Sequence, residues 1–173
     1  MIYSPLALFH VWGESEGVLG ALRRHGTLVT SPVGSSVGTI LALIERYKVD
    51  CMLGVPAVWI DCIQHPDFDR YDLSSLKIGF IGGAPSPPYL FKEVASKMCP
   101  CVVQGYGHTE AAGLTMATRL YDDLDIIGVS IGNPMDAGPA SLPRFRGATC
   151  SYTIRDTESG TKELPPGEAG EIC

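Results

Sequence analysis

The sequence predicts an α/β fold, a parallel sheet with flanking helices, and three observations carry that expectation. Short apolar runs of strand type alternate with stretches at helical spacing between residues 27 and 103. Two of these runs, 78–81 and 101–103, lead directly into glycine-bearing segments. The 20 glycines and 13 prolines among 173 residues exceed the usual share of about 12 %, so loops form much of the protein. Alternation of strand and helix favours right-handed crossovers between parallel strands.

The elements follow in order. Residues 14–24 suit a helix, with Arg23 and Arg24 near its negative end and Gly26 placed to stop it. Residues 27–30 read as a strand. Ser35 or Ser36 can cap a helix over 37–47, where Val37, Ile40, Leu41 and Ile44 share one face. A short strand over 51–53 precedes Pro56, which opens a helix carrying Val58, Trp59 and Ile63 that ends before Pro66. A polar loop over 65–75 leads to a strand over 77–81 and a helix over 89–97. A fourth strand occupies 101–103, and the rhythm stops beyond Glu110.

The tail reads differently. Residues 151–155 alternate polar and apolar side chains, a turn holds Ser159 and Gly160, and another strand begins near Gly170. This pattern predicts a short antiparallel β segment. Glycines and prolines between 128 and 142 place a linker there. The expected division is therefore 1–127 for an α/β subdomain bearing the site loops and 128–173 for the linker and the start of a small antiparallel β subdomain.

Composition narrows the function classes. With 13 basic and 19 acidic residues the net charge is −6, and no basic run stands out, which argues against nucleic acid as a partner. No apolar run approaches the length of a membrane span, and no basic segment precedes an apolar one at the N-terminus, so no transmembrane or signal segment is expected. Cysteines stand at 51, 62, 99, 101, 150 and 173. Only Cys99 and Cys101 are close, without a second pair or a histidine cluster, so no zinc site is expected. Free thiols fit an intracellular, reducing compartment.

The chemistry concentrates in Gln104-Gly105-Tyr106-Gly107-His108-Thr109-Glu110 and in Gly82-Gly83-Ala84-Pro85. Gly105 and Gly107 allow close approach of backbone N–H groups to a ligand. Tyr106 offers a flat ring, Thr109 a hydroxyl donor, and Glu110 a hard carboxylate suited to magnesium. Ring, hydroxyl and carboxylate within five residues describe a nucleoside triphosphate with its metal. The same residues also suit an ordinary turn and helix start. A dinucleotide fingerprint is disfavoured, because Glu110 stands where it needs a small residue.

These two segments resemble the adenylate-forming superfamily, which includes acyl-CoA synthetases and 4-coumarate–CoA ligases. Leu8-Phe9-His10-Val11-Trp12-Gly13 is similar to that family's Pro-Leu-Phe-His-x-x-Gly segment, with Ala7 where proline is usual. Tyr71-Asp72-Leu73-Ser74-Ser75-Leu76 resembles the run leading into the Gly-Gly-Ala-Pro strand, and residues 164–172 resemble the family's Leu-x-Pro-Gly-Glu-x-Gly-Glu-Ile. The order and spacing of all five motifs agree.

The resemblance implies an enzyme that uses ATP, Mg2+ and coenzyme A to activate a fatty or aryl carboxylic acid through an acyl-adenylate. It assigns Gly83, Ala84 and Pro85 to the adenine pocket, Tyr106 to stacking on adenine, and Gly105 and Gly107 to the same nucleotide site. Thr109 is matched to the α-phosphate and Glu110 to the metal, both as catalytic residues. Gly82, His10 and His108 are matched to the acyl substrate, His108 standing where the family more often has a small or apolar residue. The family's lysine-bearing phosphate loop and its mobile C-terminal domain have no counterpart in these residues. The chain is therefore expected to be a middle part of the family's large domain, poorly stable and inactive alone. Two alternatives stand beside the ligase: an inactive fragment that holds adenine nucleotides weakly, and an adenylation domain that loads a carrier-protein thiol.

Overall fold

The computed structural model describes residues 1–135 and 150–173. They form two compact units, Met1–Asn133 and Pro134–Cys173. The part of the expected linker from 136 to 142 lies outside the described residues.

The first unit is built on a mostly parallel sheet. Its strands are Ile2–Ser4 (β1), Leu28–Thr30 (β2), Cys51–Gly54 (β3), Ile78–Gly82 (β4), Cys101–His108 (β5), Gly113–Ala117 (β6) and Asn133–Pro134 (β7). The order across the sheet is β2-β1-β3-β4-β5-β6-β7. Neighbours from β2 to β5 run parallel, and β6 returns antiparallel to β5. The expected fold class is therefore the observed one.

Helices Val37–Tyr47 (α2), Pro56–Ile63 (α3) and Pro88–Lys97 (α4) cover one face of the sheet, the first following Gly20–Arg23 (α1). Their apolar stripes meet the strands in one core, where Tyr3, Leu41, Ile44, Met52, Trp59, Ile81, Phe91 and Val94 are buried. Parallel strands are buried on both faces and so read as continuous apolar runs. That pattern made β3, β4 and the start of β5 legible.

Three strands were missed by the sequence reading: β1, β6 and the two-residue β7, which falls in the expected linker. β1 has three residues, of which Ser4 is polar yet fully buried. It is a strand because β2 and β3 pair with it on both sides. β6 follows from the same logic, and it changes the status of its neighbour. The segment 104–108, expected as a loop, continues β5, because β6 supplies antiparallel partners from Gly105↔Ala117 to His108↔Gly113.

Helix ends show how local chemistry sets the boundaries. Of the two candidate serines, Ser36 is the cap: its hydroxyl accepts from the Thr39 N–H at 3.3 Å. Ser36→Ala is expected to cost about 1 kcal/mol and to lower the thermal midpoint by about 2–4 °C, measurable by circular dichroism. At the end of α1 the left-handed residue is His25 (φ 50), not Gly26. His25 N–H returns to Leu22 O and Gly26 N–H to Ala21 O, so Gly26 sits one place beyond the turn it was expected to make.

The thiols are sorted by burial. Desolvation pushes Cys62 and Cys99 up to about 12 and Cys51 to about 11, while Cys173 is exposed. A thiol raised by folding stays neutral where the unfolded one ionises, near pH 8.5. Its stabilising effect is full below that value, and stability falls as pH rises through about 11 to 12. A thiol-reactive disulfide reagent at pH 8 is expected to label Cys173 at once and Cys62 and Cys99 only after unfolding.

In the second unit Ile154–Arg155 (β8) pairs antiparallel with Glu171–Ile172 (β9), Ile154 opposite Ile172. The intervening turn is organised by Asp156, whose carboxylate accepts from the Ser159 hydroxyl at 2.6 Å and from the N–H groups of Glu158, Ser159 and Lys162.

Candidate functional site

The site begins with the pairing of β4 and β5. Their parallel register sets Ile81 opposite Gln104 and Gly82 opposite Gly105, so the two glycine-bearing segments leave the sheet from adjacent positions at the carboxyl edge. Open parallel sheets bind ligands at such an edge.

Strand alternation then divides the residues between two faces. Gly79 and Ile81 face the helices: a Cβ at Gly79 would lie 2.9 Å from Trp59 Cη2, and Ile81 is fully buried in the core. Phe80 therefore points to the opposite face, where its ring meets Trp12 edge-on at 5.9 Å. On β5 the partner of that face is Gly105, whose Cβ would fall 2.5 Å from the Phe80 ring. Gly107 continues it, and Tyr106 between them turns the other way.

On the Phe80 face lies a cavity of about 110 Å³. His10, Val11 and Trp12 form one wall, Phe80, Gly83 and Gly105 another, and Gly107, His108, Thr109, Gly113 and Leu114 the rest. The glycines are what keep it open: a side chain at Gly105 would meet both Phe80 and Leu114 within 2.6 Å. Gly83 adopts φ +76, which lets the chain turn under Trp12 as it leaves β4.

The wall at Trp12 continues into an unusual helix. Residues Gly13–Leu19 are wound as a π-helix, the Gly20 N–H reaching back to Ser15 O, and pass into α1. Single π turns are frequent at functional sites. The Ser15 hydroxyl donates to Val11 O at 2.6 Å, and Glu16 Oε1 accepts from the Leu114 N–H at 3.3 Å. The π-helix is thereby fastened to β6 directly behind the cavity.

The structure thus brings His10, Gly83, Gly105, Gly107, His108 and Thr109 to one cavity. Gly82, Ala84, Pro85, Tyr106 and Glu110 are outside its lining. Gly82 packs against the backbone of Gly105, its Cβ position 2.5 Å from Gly105 O. Tyr106 is half-buried, its ring 6.1 Å from that of His108. Glu110 stands at the rim on a short helical turn, Thr109–Ala111, with its side chain 83 % exposed. Its own N–H and then His108 Nδ1, at 3.3 Å, hold the carboxyl below its ordinary value. An ionised, solvent-facing carboxylate beside a hydroxyl suits a hydrated divalent cation.

Trp12, Phe80, Gly113 and Leu114 were not singled out from the sequence as site residues. Phe80 could have been found from strand alternation, since it sits between Gly79 and Ile81 on the other face. Gly113 and Leu114 depend on the return of β6, for which the local sequence offers only a five-residue run.

Comparison with known proteins bears on the family and the fold. A family model described as AMP-binding enzyme matches residues 1–173. The mitochondrial medium-chain acyl-CoA ligase ACSF2 of Bos taurus is 31 % identical over 172 residues, covering 98 % of this chain and 26 % of that protein. The N-terminal domain of FACL13 from Mycobacterium tuberculosis superposes with a TM-score of 0.75 at 28 % identity, over 99 % of this chain and 38 % of that one. The anthranilate CoA ligase AuaEII, in complex with anthranoyl-AMP, superposes with a TM-score of 0.82 at 21 % identity, over 99 % of this chain and 30 % of that one. The chain spans about a quarter of the curated relatives it matches.

Proposed function

The chain belongs to the AMP-binding enzyme family, and on that footing we propose that the protein it represents is an ATP-dependent acid–thiol ligase acting on a fatty or aryl carboxylic acid. The observation that carries this reading is the division of residues at the β4–β5 edge. A cavity lined by Phe80 and Leu114 and by His10 and His108 lies at this edge, and Tyr106 stands outside its lining.

In this reading the acyl group enters the cavity and its carboxylate lies between His10 and His108. Adenine rests against Gly83, Ala84 and Pro85, and Tyr106 stacks on it. A carboxylate oxygen attacks the α-phosphorus of ATP, the bond to pyrophosphate breaks, and an acyl-adenylate forms. The sulfur of coenzyme A, having lost its proton, then attacks the acyl carbon and AMP leaves. Thr109 donates its hydroxyl to an α-phosphate oxygen, and Glu110 would hold Mg2+, which supplies charge neutralisation to the phosphates when bound. The protein contributes mainly position and preorganised charge.

The reading is tested by ATP–pyrophosphate exchange on the complete protein with a panel of alkyl and aryl acids. Acid-dependent exchange, followed by thioester formation with coenzyme A, is expected. Exchange without thioester formation would favour loading of a carrier-protein thiol instead, and no exchange with any acid would overturn the reading. Magnesium-dependent ATP binding by residues 1–173 alone is expected to be weak, by isothermal titration. Among the described residues no helix is long and apolar enough to cross a membrane.

A further inference from the structure

Two side chains from different strands close one wall of the cavity. Phe80 comes from β4 and Leu114 from β6, the two neighbours of β5. A Cβ at Gly105, on β5 between them, would lie 2.5 Å from Phe80 Cε1 and 2.6 Å from Leu114 Cδ1. Two atoms that crowd the same point also stand close to each other, so the Phe80 ring and the Leu114 methyl meet over Gly105. A carbon inserted between them would need about 3.5–4.0 Å from each, and that gap does not hold one. Trp12 extends the wall. Its ring meets Phe80 edge-on at 5.9 Å, and its Cζ3 and Cη2 lie against the turn at Gly83 and Gly82.

The rest of the lining divides by chemistry. His10, His108 and Thr109 are exposed, whereas Trp12 is buried and Phe80 and Leu114 are half-buried. A carboxylate suits the first group and an alkyl tail the second. The space for that tail is small: the cavity measures about 110 Å³. An apolar cavity of about 150 Å³ takes one benzene. On that scale this one takes about four carbon atoms.

We propose that Phe80 and Leu114 set the length of the acyl group, and that the acid this protein activates is a short alkyl acid of about five carbons, carboxyl included. The inference rests on the reading of this cavity as the acyl pocket. A longer chain has to drive Phe80 from its packing against Trp12 and Leu114, and close-packed side chains resist such shifts. A phenyl ring exceeds the space and meets the same wall. Misfit by one methylene in a hydrophobic pocket already costs about tenfold or more. Phe80 and Leu114 make and break no bond in this scheme; they are specificity-determining residues.

The test compares pentanoate, octanoate, dodecanoate and benzoate in ATP–pyrophosphate exchange by the complete protein. Pentanoate is expected to show the highest kcat/KM, with octanoate about tenfold or more below it. Leu114→Ala and Phe80→Ala are each expected to raise the octanoate-to-pentanoate ratio about tenfold, with folding checked by circular dichroism. Should either variant fail to fold, the wild-type length profile decides by itself. Octanoate, dodecanoate or benzoate used as well as pentanoate by the wild type overturns the inference alone, as does an unchanged ratio in the folded variants. No exchange with any acid overturns the ligase reading and this inference with it.

Discussion

Glu110→Ala is expected to lower ATP–pyrophosphate exchange by the complete protein about a hundredfold or more, the scale of losing one well-placed electrostatic group. The same change leaves the thermal midpoint within about 2 °C, because exposed substitutions rarely exceed about 0.5 kcal/mol. The separation of the two effects follows from geometry. Glu110 projects from the cavity rim with its side chain 83 % exposed, and its side-chain partner is His108 at 3.3 Å. Its removal therefore opens no void in the core. What is lost is an ionised carboxylate beside Thr109, where a hydrated magnesium ion would stand. Glu110→Gln keeps the volume and removes the charge, so a loss equal to that of the alanine variant assigns the effect to charge. A steeper dependence on magnesium concentration is the accompanying sign. Exchange unchanged in both variants would remove Glu110 from the site.

Gly107→Ala is the most disruptive single-methyl change expected in the sheet. A Cβ there would lie 2.0 Å from Gly113 O, 2.6 Å from Gly113 C and 2.8 Å from Leu114 Cα. All three are backbone atoms of β6, so no rotamer relieves the clash, and β5 and β6 must separate. The expected cost is about 3 kcal/mol or more, at the upper end for overpacked sites, with a fall in thermal midpoint of about 6–12 °C. Gly34→Ala is the matched control. Gly34 has φ +82 with nothing within 4 Å of its Cβ position, so only backbone strain of about 1–2 kcal/mol applies. Urea titration of both variants decides the matter. A Gly107→Ala midpoint no lower than that of Gly34→Ala would mean that β5 and β6 are not paired at this point.

That clash also explains why glycine recurs in a segment that looks like a loop. Gly105 and Gly107 disfavour strands by propensity, yet they lie inside β5 because their neighbours leave no room for side chains. Spacing alone suggested turns at these positions, and turn chemistry lost to the closeness of β6 and Phe80. The same tertiary override put Ser4 inside the sheet, where polarity argues against it.

The sequence by itself determined the alternation of strand and helix from β2 to the start of β5, because buried parallel strands and amphipathic helices write their burial into local periodicity. It also singled out the residues proposed for the site, His10, the Gly83–Pro85 turn and the 105–110 segment, through the motifs they share in order and spacing with the adenylate-forming family. The tertiary structure decided how these residues are shared between the two faces of one sheet edge. It brought His10, His108, Trp12, Phe80 and Leu114 into the lining of one cavity and left Tyr106 outside that lining. Those relations depend on pairing between strands far apart in the chain, and a contact across a sheet leaves no period in the residues that make it.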